Sequence, residues 1–198
     1  VFGDRYAIKT LEVGELTVGA DAVSRMSRWA DSAERGKGVE IGRVALKNVK
    51  IESKAIQLET FDADLDLDKS GKIVKASARL RNGKWSVDFA PSKGTAEQPA
   101  AEGEWAVEFS STGLPLPIGA PLPLSRVVAS GTLLGETLNF PKVEVKSFEG
   151  TAVGSLKADF KGGYTVNAEW NAERIKVDQL TEVFTRDIVL TDRVYGDF

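Results

Sequence analysis

The stretch Thr60-Phe61-Asp62-Ala63-Asp64-Leu65-Asp66-Leu67-Asp68-Lys69-Ser70-Gly71-Lys72-Ile73-Val74-Lys75-Ala76-Ser77-Ala78-Arg79-Leu80-Arg81-Asn82-Gly83-Lys84-Trp85-Ser86-Val87-Asp88-Phe89-Ala90 decides the fold. Phe61, Ala63, Leu65 and Leu67 alternate with aspartates, the period of two of a strand with one buried and one wet face. Lys69-Ser70-Gly71-Lys72 reads as a tight turn. With Ser70-Gly71 as a two-residue loop, Leu67 lies opposite Val74, Leu65 opposite Ala76, Ala63 opposite Ala78 and Phe61 opposite Leu80. The same register sets Asp66 against Lys75 and Asp62 against Arg79, opposite charges that contribute roughly 0.2 to 1 kcal/mol each. Asn82-Gly83 tolerates the positive φ of a type I′ turn, and it carries the apolar face onto a third strand, with Leu80 facing Trp85, Ala78 facing Val87 and Ala76 facing Phe89.

The same grammar continues downstream. Leu133-Leu134-Gly135-Glu136-Thr137-Leu138 predicts another hairpin. Lys161-Gly162-Gly163 joins Leu156, Ala158 and Phe160 to Tyr164, Val166, Ala168 and Trp170; a three-residue loop sets Phe160 against Tyr164, Ala158 against Val166 and Leu156 against Ala168. Two short helices interrupt the strands. Ala20 to Arg35 aligns Val23, Met26, Trp29, Ala30 and Ala33 between Asp21 as N-cap and Gly36 as C-cap, and Val177 to Phe184 puts Val177, Leu180, Val183 and Phe184 on one side. Pro91 to Gly103 and the proline-interrupted Leu114 to Leu124 read as loops, the latter covering apolar surface at a sheet edge. It separates a front strand block, about 39–110, from a back block, about 127–176, within one domain spanning 1–198.

Composition narrows the chemistry. The 198 residues carry a net charge of −3, without the basic excess that nucleic acid demands. Cysteine and histidine are both absent, which excludes thiol nucleophiles, disulfides, imidazole acid–base catalysis and thiolate or imidazole zinc sites. The chain opens with Val1-Phe2-Gly3 and reads as an excised piece or a mature segment. Its longest uncharged run, Phe109 to Ser125, holds four prolines and does not form a membrane-spanning helix.

No constellation points to catalysis or a metal. Asp62, Asp64, Asp66 and Asp68 precede Gly71, but a calcium loop begun at Asp64 puts glycine at the wrong place and Lys75 where a bidentate glutamate belongs, so they read as a solvated strand face. Glu102, Glu104, Glu108, Asp159 and Glu169 show no spacing that sets a glycosidase pair apart from outward-facing strand residues. Gly19, Gly42, Gly150 and Gly154 match no phosphate-binding pattern and mark bends or bulges. The informative feature is the apolar face itself. Periodicity alone reads it as core; a curved sheet with too few helices to cover it leaves part of it as a groove suited to acyl chains. The groove candidates are Leu65, Leu80, Trp85, Phe89, Trp105, Phe140, Phe160 and Trp170.

Three back-half segments carry a family resemblance: Val128-Ala129-Ser130-Gly131-Thr132-Leu133-Leu134-Gly135-Glu136-Thr137-Leu138, then Phe148-Glu149-Gly150-Thr151-Ala152-Val153-Gly154, then Ile175-Lys176-Val177-Asp178-Gln179-Leu180. In that order they resemble the G-x-L-x-G strand, F-x-G-x-x-x-G strand and V-D-L-x-x-L helix start of the C-terminal region of AsmA-like proteins. Gln179 departs from the family's leucine. The strand Ile41-Gly42-Arg43-Val44-Ala45-Leu46-Lys47-Asn48-Val49-Lys50-Ile51 is similar to the family's repeated strands. The resemblance covers about residues 39–185 and rests on degenerate strand and glycine patterns. It implies a Gram-negative envelope protein in the periplasm, held to the inner membrane by an N-terminal helix that lies outside this sequence. Like the TamB-type proteins, such a protein shields phospholipid acyl chains along a β-groove and supports outer-membrane integrity, with no catalytic residue, cofactor or metal.

The expected fold is mainly β: an elongated, twisted antiparallel β-meander, half-rolled into an open groove, with two short helices. Phospholipid acyl chains are the expected partner, with other envelope proteins alongside. The alternative is a structural scaffold module of an envelope or secretion complex, pairing through its edge strands.

Overall fold

A computed structural model describes residues 6–19, 39–52, 59–80, 82–94, 99–115, 123–160 and 165–174, and every regular element among them is a strand. Three short strands, β1 (Tyr6–Ile8), β2 (Leu11–Gly14) and β3 (Thr17–Gly19), precede β4 (Val39–Ile41) and β5 (Arg43–Glu52). The rest of the chain supplies β6 (Phe61–Leu67), β7 (Ile73–Leu80), β8 (Trp85–Pro91), β9 (Glu104–Pro115), β10 (Pro123–Leu134), β11 (Thr137–Ser147), β12 (Gly150–Asp159) and β13 (Thr165–Glu173). From β5 to β13 each strand pairs with the next as an antiparallel neighbour, and the sheet does not close. The fold is therefore mainly β and open. Both expected helices, with the Phe160–Tyr164 pairing, lie outside the described residues.

One edge departs from the antiparallel expectation. β1 runs parallel to β4, while β2 and β3 run parallel to β5. A parallel pair needs a long crossover rather than a turn, which no hairpin signal reveals.

The hairpin registers follow the turn chemistry. Phe61 faces Leu80, Asp62 faces Arg79, Ala63 faces Ala78, Leu65 faces Ala76 and Asp66 faces Lys75, as the alternation predicts. The loop itself is wider than two residues. Asp68 and Lys72 close it through Asp68 N–H to the Lys72 carbonyl at 2.9 Å, and Asp68 Oδ1 accepts from Ser70 N–H, Ser70 Oγ–H and Lys72 N–H at 2.7, 2.6 and 2.9 Å. Gly71 takes the positive φ that this three-residue loop requires. Leu67 then pairs with Ile73 instead of Val74, and the extra Val74 bulges outward and restores the register. Beyond Asn82-Gly83, Ala78 faces Val87 and Ala76 faces Phe89. The hairpin expected over Leu133 to Leu138 forms with Leu133 facing Leu138, and Ala158 faces Val166 and Leu156 faces Ala168 as expected.

Two further bulges keep apolar residues on one face where a strict period of two fails. In β5, Leu46 pairs with Ala63 but Val49 pairs with Phe61, so Lys47-Asn48 oppose Asp62 alone. Asn48 holds φ at 54°, its N–H donates to Asp62 Oδ1 at 3.0 Å, and Lys47 Nζ lies 3.7 Å from Asp62 Oδ2. An asparagine tolerates this left-handed backbone, and the aspartate caps the amide that the bulge frees. In β11, Phe140 pairs with Leu156 and Val143 with Gly154, so Pro141-Lys142 oppose Ser155 alone. Proline costs no ladder hydrogen bond at a bulge. Phe140 and Val143 are both buried, although three positions apart.

Leu114 to Leu124 is not wholly a loop. β9 runs to Pro115 and β10 begins at Pro123, with Pro123 facing Pro115 and Leu124 facing Leu114. Since β9 pairs with β8 on one side and β10 on the other, the front and back blocks form one continuous sheet.

Candidate functional site: an apolar concave face

Register carries the apolar alternation across the sheet. Trp85, Val87 and Phe89 on β8 face Ser111, Phe109 and Val107 on β9; Phe109, Val107 and Trp105 face Ala129, Gly131 and Leu133 on β10; and Leu133 faces Leu138 on β11. Successive side chains point to opposite faces, so these residues share one side.

Part of that side forms a cavity of about 450 Å³ lined by Val87, Phe89, Val107, Phe109, Leu133, Leu138, Phe140 and Phe160. All eight are apolar. Its volume falls in the range of about 300–1,000 Å³ typical of small-molecule sites. The lining shows that the sheet is curved: Phe160 directly follows β12, four strand spacings from Val87 and Phe89, which on a flat sheet is roughly 19 Å. Side chains so far apart border one cavity only if the apolar face is concave, as strong twist and bulges make it. Val107, on the middle strand, is 2 % exposed, whereas Phe160 at the rim is 42 % exposed and Val166 and Trp170 beyond it are exposed too.

Among the eight groove candidates, Phe89, Phe140 and Phe160 meet in this cavity. Leu80 and Trp85 belong instead to a second cluster with Val18, Val49 and Phe61 under the front strands, where Leu80 is buried. Leu65, between Val44 and Ala76, shares their face but lies outside the cavity, as does Trp105 between Pro91 and Leu133. Trp170 sits on β13 opposite Gly154, where its ring lies against the glycine backbone. The eight thus divide into three residues of the cavity, two of the second cluster, the exposed Trp170, and Leu65 and Trp105, which belong to neither group. Leu133 completes the cavity through the Gly135-Glu136 turn, a hairpin legible in the sequence whose contribution to the wall depends on curvature.

A buried hydroxyl interrupts the apolar face at Ser111. Ser111, opposite Trp85 on β8 and Val127 on β10, is 3 % exposed and its Oγ has no hydrogen-bond partner.

The other face is ionic, and several of its charges are engaged in pairs. Arg43 meets Asp64 at 2.8 Å, Arg79 meets Asp88 on β8 at 3.3 Å, and Lys142 meets Glu144 at 2.8 Å. The hydrogen bond and charge of Asp64 raise the Arg43 pKa, and those of Lys142 hold the Glu144 carboxyl below its usual range. Of the acids considered for hydrolysis, Glu104 accepts the Ala101 N–H at 2.9 Å and Asp159 accepts from Thr137 Oγ1 at 3.5 Å. Among the described residues no three acidic side chains converge on a metal position.

Gly131 and Gly154 do more than bend a strand. A Cβ at Gly131 would overlap the Asn139 carbonyl oxygen, and one at Gly154 would overlap the Glu169 carbonyl oxygen and approach the Trp170 ring. Gly131 lies in the irregular step of the β10–β11 ladder and permits the close approach of β11, whereas Gly154 faces Trp170 and permits the close approach of β13.

Comparison with protein-family models, with curated proteins and with solved structures found no match to this chain.

Proposed function

We propose that this protein is a non-catalytic lipid handler of the bacterial envelope, which shields phospholipid acyl chains along the concave apolar face of its sheet while the ionic face stays in water. The observation that carries the reading is the 450 Å³ cavity with an all-apolar lining and a rim of exposed Phe160. Burying about ten methylenes there would contribute on the order of 8 kcal/mol before the costs of ordering the chain. No polar group in the lining selects a headgroup, which suits a carrier that holds tails and leaves the headgroup outside. The resemblance of Gly131 to Gly135, Phe148 to Gly154 and Ile175 to Leu180 to AsmA-like segments supports the same reading. From that resemblance come the periplasmic location and the attachment of the full-length protein to the inner membrane.

A specific observation favours one other reading, an interaction scaffold. Every residue of β13 is exposed, and β13 is the outermost strand of the described sheet. Such an edge can receive an added strand from a neighbour.

Native mass spectrometry of the purified protein, with lipid extraction of the same sample, separates the two. Phospholipid bound at defined stoichiometry is the expected result. A bare mass, unchanged after incubation with short-chain phospholipid, makes the apolar face ordinary core and leaves the scaffold reading.

A further inference from the structure

The β8–β11 register brings basic residues together near the end of the sheet that bears the Asn82-Gly83 turn. Thr112 faces Arg126, and Arg126 faces Lys146. Lys84 continues this row, because the Thr112 N–H donates to its carbonyl at 2.6 Å beside the Trp85–Ser111 pair. Lys84, Thr112, Arg126 and Lys146 are all exposed, and at about 4.8 Å per strand the three cations span roughly 14 Å.

Glu144 feels the charge of Arg126 and Lys146, but no ion pair among the described residues closes on the row. The ion pairs on this face engage Arg43, Lys47, Lys50, Arg79 and Lys142, and none engages Lys84, Arg126 or Lys146. Glu144, the nearest acid on β11, is held by Lys142 at 2.8 Å. Glu173 faces Thr151 on the outermost strand pair, and Glu149 lies in the turn after Ser147. Arg126 and Lys146 are also direct cross-strand neighbours, an arrangement of like charges that works against the sheet. Between β6 and β7, by contrast, cations lie directly opposite acids, as Asp66 faces Lys75 and Asp62 faces Arg79.

We propose that the Lys84–Arg126–Lys146 row docks the protein on an anionic phospholipid surface. The charge is complementary to phosphate headgroups, the row is exposed, and Thr112 adds a hydroxyl donor between two of its cations. The overall charge of −3 disfavours a nucleic-acid partner, and the row bears no aromatic side chain for stacking. This inference rests on the lipid-handling reading, which requires the molecule to approach a bilayer, and it adds the surface by which it would do so.

The test is sedimentation of the intact protein with vesicles of phosphatidylcholine alone or mixed with phosphatidylglycerol, at low and high salt. Wild-type protein should bind only the anionic vesicles and leave them as salt rises. Taking roughly 1 kcal/mol per basic residue at such a surface, the combined K84Q, R126Q and K146Q variant should bind on the order of a hundredfold more weakly. A charge-matched control, K69Q with K75Q and K93Q, should bind nearly as wild type. Lys146→Gln alone removes the like-charge pair, so it should weaken binding about fivefold without lowering the thermal midpoint. Equal loss in the control, or no preference for anionic vesicles, overturns the proposal. Native mass spectrometry of the row variant keeps the two readings apart. Retained lipid without charge-dependent docking sinks the row and spares the carrier, and docking by a protein that never holds lipid does the reverse.

Discussion

The rings of Phe61 and Trp85 stand 5.5 Å apart and are tilted by 51°, joining β6 to β8 across the intervening β7 on the apolar face. Phe61 is buried with Val18, Val49 and Leu80, and Trp85 packs against the same group. This is packed interior, in contrast to the open rim at Phe160. Trp85→Asp is therefore expected to unfold the protein, since it sets a charge against this cluster, and Phe61→Ala should cost about 3–5 kcal/mol. Phe160→Asp should leave the denaturation midpoint almost unchanged and abolish lipid retention. Chemical denaturation and native mass spectrometry of the same three variants check this, and loss of fold in Phe160→Asp would place that ring in a closed core.

Gly131→Ala and Gly154→Ala should each destabilise by about 1–3 kcal/mol or more, because the new Cβ meets a backbone carbonyl oxygen that cannot rotate away. Gly14→Ala is the contrasting case, with nothing within 4 Å of the added atom, and it should be neutral or stabilise by up to about 1 kcal/mol. Urea midpoints order the three variants, and a similar effect at all of them would exclude close strand approach as the reason for glycine at 131 and 154.

Ser111→Ala should stabilise the fold by about 1 kcal/mol or more, since it removes a buried hydroxyl that has no partner and keeps nearly the same shape. Destabilisation on the same substitution would show that Oγ makes a hydrogen bond in solution.

The Lys142–Glu144 pair makes a prediction about pH. The Lys142 hydrogen bond and charge lower the Glu144 pKa, with smaller contributions from Arg126 and Lys146. A carboxyl with a lower pKa in the folded than in the unfolded state contributes stability above its unfolded pKa, and that contribution is lost as pH falls through the folded one. Lys142 is shifted upward, so its share holds below its unfolded pKa and is lost as pH rises through the folded value. Side-chain NMR titration should place Glu144 below the ordinary glutamate value of about 4.3, and Lys142→Met should move it back toward that value. An unmoved titration would mean that the ion pair does not form in solution.

Most of the antiparallel sheet was legible in the residues because hairpin pairing is local. The alternation from Phe61 to Phe89 and the turns at Gly71 and Gly83 specify which side chains face one another, and a slip of one residue would bury the aspartates. The absence of histidine and cysteine likewise settled, without coordinates, which chemistries are excluded. The site was less legible. The alternation gives Phe89, Phe140 and Phe160 the same weight as Leu80 and Trp85, because it marks a face and says nothing of where that face bends.

What the sequence determined by itself is thus the strand grammar and the two-sided character of the sheet. Tertiary structure alone decided the parallel edge of β1 to β3, the bulges at Asn48 and Pro141, the curvature that brings Phe160 into one cavity with Phe89, and the cationic row from Lys84 to Lys146. The physical reason is range: a hairpin register is set by neighbours within a few residues of a turn, whereas curvature and cross-sheet rows accumulate over many strand pairs, each adding a small twist that no single turn encodes.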